Sequence, residues 1–250
     1  MALTTVPVEL ASLDGAVTVN ESSADADFRV ESNGKTHALF IDGGNNQVLL
    51  NASTARSTSG VTASTQIHGT GYNDASLALI GDMGANALTA PVLFFAKTRG
   101  SAGGSTVVSD GDRLGAIFFN AGDGTDIESV AASIDAVIDG TPGSNDTPGR
   151  LVFRTSSDGS GDNAERMRID SSGRVGVGTT PNSGWSAAST SGRVPIQIGA
   201  GSISGRLNDN YTEFSNNCYA SGTGNDPQWA GMSRYAKQQI EFDSNGQIIF

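Results

Sequence analysis

The residues able to do chemistry in this chain are few, and their spacing limits each of them. There are two histidines, His37 and His68. They lie far apart in sequence and neither sits at a metal-ligand spacing, so surface or strand positions account for them. Cys218 is the single cysteine, which excludes an intrachain disulfide and a cysteine-cluster metal site. It follows Asn216-Asn217 with no basic neighbour to activate it, and reads as a buried, inert thiol. Gly34-Lys35-Thr36 looks like the end of a phosphate-cradling loop, but the upstream position that must be glycine is Arg29. No Gly-x-Ser-x-Gly elbow and no helix-opening Gly-x-Gly-x-x-Gly is present. Two loops, Asp158-Gly159-Ser160-Gly161-Asp162-Asn163 and Asp123-Gly124-Thr125-Asp126, set oxygen ligands at short spacing. Neither completes a calcium loop with its acidic final ligand, and tight turns demand the same residues. With 26 acids, some pair approaches hydrolytic spacing by chance, so paired carboxylates carry almost no signal here. No catalytic residue, metal site or cofactor is therefore expected. One aromatic group remains: Trp185, Tyr211, Trp229 and Tyr235. They read either as stacking platforms facing a receptor sugar or as packing for a small module, and packing has the greater weight in a chain so poor in large apolar residues.

The elements that would position such residues are β-strands. Only 37% of the 250 residues are hydrophobic and 33 are glycine, too polar for an ordinary compact core. The apolar residues gather in short alternating runs, which favours a narrow core shared between chains over disorder. A net charge of −11 argues against nucleic acid and anionic membranes as partners, since both need a basic surface. The start, Met1 to Pro7, does not read as a signal peptide. The most apolar run, Ala87 to Ala96, is interrupted by Thr89 and Pro91 and is too short to span a bilayer.

Internal similarity carries the most information. Ile240-Glu241-Phe242-Asp243-Ser244-Asn245-Gly246 leads into Gln247-Ile248-Ile249-Phe250, and Met167-Arg168-Ile169-Asp170-Ser171-Ser172-Gly173 leads into Arg174-Val175-Gly176-Val177. Looser copies run from Leu39 through Asp42 to Leu50, and from Phe28 to Lys35. Each reads apolar, polar, apolar, acid, then a small turn and a second strand. Alternation puts one face into a core, the acid bonds turn amides, and Gly or Asn supplies positive φ. The hairpin-turn residues are thus Asp42, Asp170, Gly173, Asp243 and Gly246. An isolated hairpin is marginal in water, so the copies must stack. Further strands are read at Pro91–Lys97, Arg113–Phe119 and Arg150–Arg154. The segment from Asp126 to Asp139 fits both helix and strand, and its β-branched content favours strand from about Ala132 onward.

The expected organisation has four parts. Residues 1–25 form an extended arm whose apolar Leu3, Val6, Val8 and Leu10 anchor it to a partner. Residues 26–60 form a hairpin shaft, 61–181 a central β-rich region, and 182–250 an aromatic-richer distal module that ends in a hairpin repeat.

Several stretches resemble phage tail-fibre proteins. They are Gly111-Asp112-Arg113-Leu114-Gly115, Ala132-Ser133-Ile134-Asp135-Ala136-Val137-Ile138-Asp139-Gly140-Thr141-Pro142-Gly143, Pro148 to Phe153, and Tyr211-Thr212-Glu213 with Tyr219-Ala220-Ser221-Gly222. The run from Glu165 to Pro181 is similar to an element that recurs in such fibres, those of marine phages in particular. The resemblance covers most of the chain from Asp110 onward. It implies an all-β, elongated, homotrimeric virion fibre of stacked β-hairpins, β-helix- or β-prism-like, with short β modules. Its implied partners are further copies of itself, a phage tail, baseplate or adaptor protein at the N-terminus, and a host surface glycan or protein. Many such fibres carry a C-terminal self-cleaving chaperone domain, and no such segment is read in this sequence. Host attachment by a non-enzymatic fibre is the leading expectation. The alternatives are a capsid head fibre or decoration protein, and a polysaccharide-degrading tailspike.

Overall fold

The structure, a computed structural model, describes residues 25, 27–82, 84–85, 89–181, 193–199, 201–206, 212–216, 219–221, 228–230, 238–242 and 248–249. Every regular element among them is a β-strand, and the strands form several open sheets. The fold is all-β. The chain divides into two compact units, residues 1–92 and 93–250.

The first unit holds β1 (Phe28–Ser32), β2 (Lys35–Asp42), β3 (Gln47–Leu50), β4 (Ser57–Thr58), β5 (Val61–Thr62) and β6 (Thr65–Ile67). β1, β2 and β3 form an antiparallel meander, and β6 returns to pair with β3 in parallel. Alternation along β2 and β3 decides what is buried. Phe40 and Leu49 are cross-strand partners, and they are the buried hydrophobic side chains of this unit among the described residues. β4 and β5 make a separate two-residue-strand hairpin, with Ser59 and Gly60 at φ 52° and 71°.

The second unit holds β7 (Arg113–Ala121), β8 (Ser129–Ile138), β9 (Gly149–Ser156), β10 (Asn163–Ile169), β11 (Val175–Val177), β12 (Arg193–Ile198), β13 (Gly201–Arg206), β14 (Thr212–Asn216), β15 (Tyr219–Ser221), β16 (Gln228–Ala230), β17 (Gln238–Phe242) and β18 (Ile248–Ile249). Apart from the β15–β16 pair, these strands make one ten-stranded sheet in the order β18-β17-β14-β13-β12-β11-β10-β9-β8-β7. All of its pairings are antiparallel except β11–β12. That parallel pair joins strands on either side of Pro181.

Two strand expectations change. The segment with mixed periodicity is strand throughout from Ser129, so β8 begins before Ala132. Its central pairing between β7 and β9 satisfies both backbone edges, which outweighs the helical spacing of its apolar residues. Pro91–Lys97, by contrast, forms no strand within the chain. A β-rich composition suits pairing but supplies no partner, and none is present among the described residues.

Candidate assembly face

The turns show how local sequence places side chains. Between β10 and β11 the amide of Gly173 donates to the Asp170 carbonyl at 2.9 Å, and the Asp170 amide donates to the Arg174 carbonyl at 3.0 Å. Gly173 lies at φ +75°, the left-handed residue of a three-residue hairpin loop with a bulge. The Asp170 carboxylate accepts from the Ser172 and Arg174 amides at 3.0 and 2.9 Å and from Arg174 Nε at 2.7 Å. Between β2 and β3, Asp42 accepts from the Asn45 amide and side chain at 2.9 and 2.8 Å, and Asn46 takes the positive φ. The Asn45 side-chain amide, then its backbone amide, holds Asp42 below the usual carboxylate range. Asp243 and Gly246 lie outside the described residues, as do Leu3, Val6, Val8 and Leu10.

The pleat of the large sheet sorts side chains into two faces. On one face, register aligns Ile117, Ile134, Phe153, Met167, Val177 and Ile198 in a row across β7 to β12. A second row runs through Gly115, Ala136, Leu151, Ile169, Val175, Ile196 and Ile203. These two rows are apolar throughout. Much of this face is nevertheless open to solvent. Ile117, Phe119, Leu151, Val177, Ile196, Ile198 and Ile203 are each 36–53% exposed.

The opposite face carries the charges, and it is the better covered of the two. Ser133, Asp135 and Val152 are 2%, 0% and 1% exposed. Asp135 Oδ2 accepts from Arg154 Nε at 2.9 Å on one neighbouring strand and lies 3.3 Å from Arg113 Nη2 on the other. The Arg113 guanidinium also stands 5.4 Å from the centre of the Phe118 ring. Asn163 Nδ2 donates to Ser133 Oγ at 3.0 Å. Arg150 pairs with Asp139 at 2.6 Å, and Asp139 also accepts from the Ser171 amide at 2.8 Å. Burial raises the Asp139 carboxyl, but the Ser171 amide and Arg150 outweigh it and leave it below its ordinary value. Arg168 is paired with Glu165 and Arg174 with Asp170. Asp135 Oδ1 and Arg150 Nε are buried with no hydrogen-bond partner among the described residues. Nearly all of the charge on this face is thus neutralised inside one chain.

At the start of β7, Asp112 gathers Arg99 Nε and Nη2 at 2.7 and 3.0 Å, Lys97 Nζ at 3.1 Å and the Ser109 amide at 2.9 Å. The Arg99 guanidinium, followed by the Ser109 amide, holds this carboxyl well below the usual range. Asp123 in one of the acidic loops is also lowered, by the Thr125 amide, the Ser129 hydroxyl and the Asp126 amide. Its lone pairs serve a turn.

The described residues include one group of three acids whose oxygens could share a cation: Asp25, Asp27 and Asp42, within 4.8 Å of one another. None belongs to the two acidic loops noted in the sequence. Asp27 is engaged by the Gly43 amide at 3.1 Å, and a Cβ at Gly44 would lie 2.6 Å from Asp25 Oδ1, so the missing side chain makes room for that carboxylate. His37 stands edge-on to Phe40 at 5.3 Å, and His68 Nε2 lies 2.8 Å from Gln66 Oε1. Lys35, Thr36, His37, Asn51 and Ser53 line a shallow polar recess of about 340 Å³, where Lys35 is paired with Asp74 at 3.2 Å. Of the four aromatics, Trp229 is placed by its backbone opposite Ala220 in β16, while Trp185, Tyr211 and Tyr235 lie outside the described residues.

The sheet's two faces were partly open to sequence reasoning. Alternation of Ile134, Ala136 and Ile138 already put Asp135 on the other side from them. Nothing local showed that Arg113 and Arg154, from different strands, would converge on it.

No protein-family model matches the chain, and no curated protein does. Among solved structures, the carboxy-terminal domain of the bacteriophage T5 L-shaped tail fibre is similar at 11% identity and a TM-score of 0.32, over 66% of this chain and 87% of that one. The same domain with its intramolecular chaperone domain is similar at 11% identity and a TM-score of 0.34, over 70% of this chain and 62% of that one. Likeness at this level is too low to transfer a function.

Proposed function

We propose that the chain is a structural subunit of a phage virion fibre of the tail-fibre type, assembled as a homotrimer that serves host attachment. The observation that carries this reading is the inverted large sheet. A lone domain hides its apolar face and shows its charged one, because burying apolar surface is worth roughly 25 cal/mol per Å². Here the charged face is neutralised and covered, while two apolar rows stay open. A sheet of that kind suits several copies that turn their apolar faces toward one shared axis. Three copies enclose such an axis and shelter strand edges that would otherwise invite aggregation. The sequence resemblance from Asp110 onward supplies the fibre class.

The work of such a subunit is mechanical, with no catalytic step. The arm with Leu3, Val6, Val8 and Leu10 docks on the tail, baseplate or adaptor. Trp185, Tyr211, Trp229 and Tyr235 are the candidates to meet a host surface glycan or protein. Three weak sites on one tip, repeated over several fibres, give firm adhesion through effective concentration. Native mass measurement tests the assembly: three chains per particle is the expected result, and a stable folded monomer overturns it. Incubation with host surface polysaccharide tests the rest. Bound protein without new reducing ends is expected, and released oligosaccharide would replace this reading with a tailspike enzyme. Electron microscopy of intact particles distinguishes a tail position from a head fibre.

A further inference from the structure

We infer that residues 93–96 form an arm that seats on the apolar face of a neighbouring copy of the same chain, so that the copies meet arm to face. This rests on the proposed homo-oligomer and names the contact that closes it.

The base of the arm is fixed within its own chain. Lys97 and Arg99 both pair with Asp112, immediately before β7. Phe95 packs against Gly115, where a Cβ would lie 2.6 Å from the Phe95 Cβ. Gly115 belongs to the second apolar row, so the arm leaves the sheet at one end of that row, beside the edge strand β7. Beyond its base the arm has little to hold it. Leu93, Phe94 and Phe95 are 59%, 83% and 54% exposed. No backbone hydrogen bond joins residues 93–96 to any described residue. A run of large apolar side chains that its own chain leaves uncovered marks a contact with another chain.

The occupant is a second copy because the chain itself carries both halves of the contact. The arm is aromatic and aliphatic, and so are the open rows at Leu151, Val177, Ile196, Ile198 and Ile203. Both are uncharged along those side chains, so no partner of opposite charge is called for. An arm from one copy and the open rows of the next together expose on the order of 1,000 Å² of largely apolar surface, about the total area that a specific interface must bury. A contact between two different patches closes either reciprocally in a two-fold pair or head to tail around a ring, and the proposed homotrimer selects the ring. Three copies in a ring cover every arm and every face.

The test places the photocrosslinking analogue benzoyl-phenylalanine at position 94 of the full chain, with native mass recorded before irradiation. The expected result is an oligomer that, once irradiated, gives covalently joined chains on a denaturing gel, with crosslinks mapped to peptides of β9 to β13. Crosslinks confined to one chain, crosslinks between residues 93–97 of two chains, or none at all in an intact oligomer would overturn the arm-to-face contact and leave the homo-oligomer standing. A folded monomer would overturn both. A Phe94→Asp variant provides the second arm of the test. It should keep its β-sheet circular dichroism signal while the concentration needed for assembly rises at least tenfold, and unchanged assembly would overturn the inference.

Discussion

Single residues set the turns and the ion pairs, and their energetics are testable one at a time. Gly173 sits at φ +75° with nothing within 4 Å of where a Cβ would be. A side chain there meets backbone strain and no clash. Gly173→Val should lose roughly 1–3 kcal/mol in denaturant unfolding. Unchanged stability would mean that the loop relaxes into another turn. Acid should weaken the fold through its carboxylates. Asp42, Asp112, Asp123 and Asp139 all lie below their ordinary values in the folded chain. A depressed carboxyl contributes stability that is present above its unfolded value, about 3.9, and lost as pH falls through its folded value. The melting temperature should therefore be nearly flat from neutral pH to about pH 5 and fall steadily below that. Asp112→Asn should lower the neutral-pH melting temperature and flatten the acid slope, because Arg99 and Lys97 lose their carboxylate at every pH. A variant with the parent's slope would show that Asp112 does not drive it.

Strands are the next scale, and there the decisive device is the pair of arginines converging on Asp135. Arg113 comes from β7 and Arg154 from β9, so one buried carboxylate on β8 ties three strands. Arg154→Met keeps the covering stem and removes the charge, leaving Asp135 with the half-exposed Arg113 alone. Breaking one side of a buried pair costs about 3–5 kcal/mol, and with Arg113 remaining the expected loss falls below that range, at about 2–3 kcal/mol. Equilibrium unfolding of the variant checks it, and a loss below about 0.5 kcal/mol would reduce the pair to a surface ion pair in value. Strand identity itself was readable wherever the sequence held both partners. β7, β9 and the hairpin of β10 and β11 all lie where alternation puts them. Pro91–Lys97 reads equally well as a strand but makes no ladder, because period-two patterning specifies a face and not a partner.

For the whole molecule, the exposed apolar rows set the expectation. Ile117→Asp with Ile198→Asp puts charge on the open face at two points about five strands apart in the sheet order. In a lone chain both positions already meet water, so the sheet should keep its circular dichroism signal. In an assembly both are desolvated, and sedimentation should show dissociation to single chains. Assembly that survives both substitutions would move the interface elsewhere.

The sequence by itself determined that this chain is all-β, that acids and glycines close its hairpins, and which residues of each strand share a face. These are local properties, written in the period-two alternation and in what Asp, Asn and Gly do to a turn. Tertiary structure alone decided the rest. It joined β11 to β12 in parallel across the Pro181 region, buried Asp135 between arginines from two strands, and left Leu93 to Ala96 without a partner. It also left the apolar face, rather than the charged one, open to solvent. Each of these depends on which segments meet across the sheet, and strand pairing joins residues whose nearness no local pattern encodes.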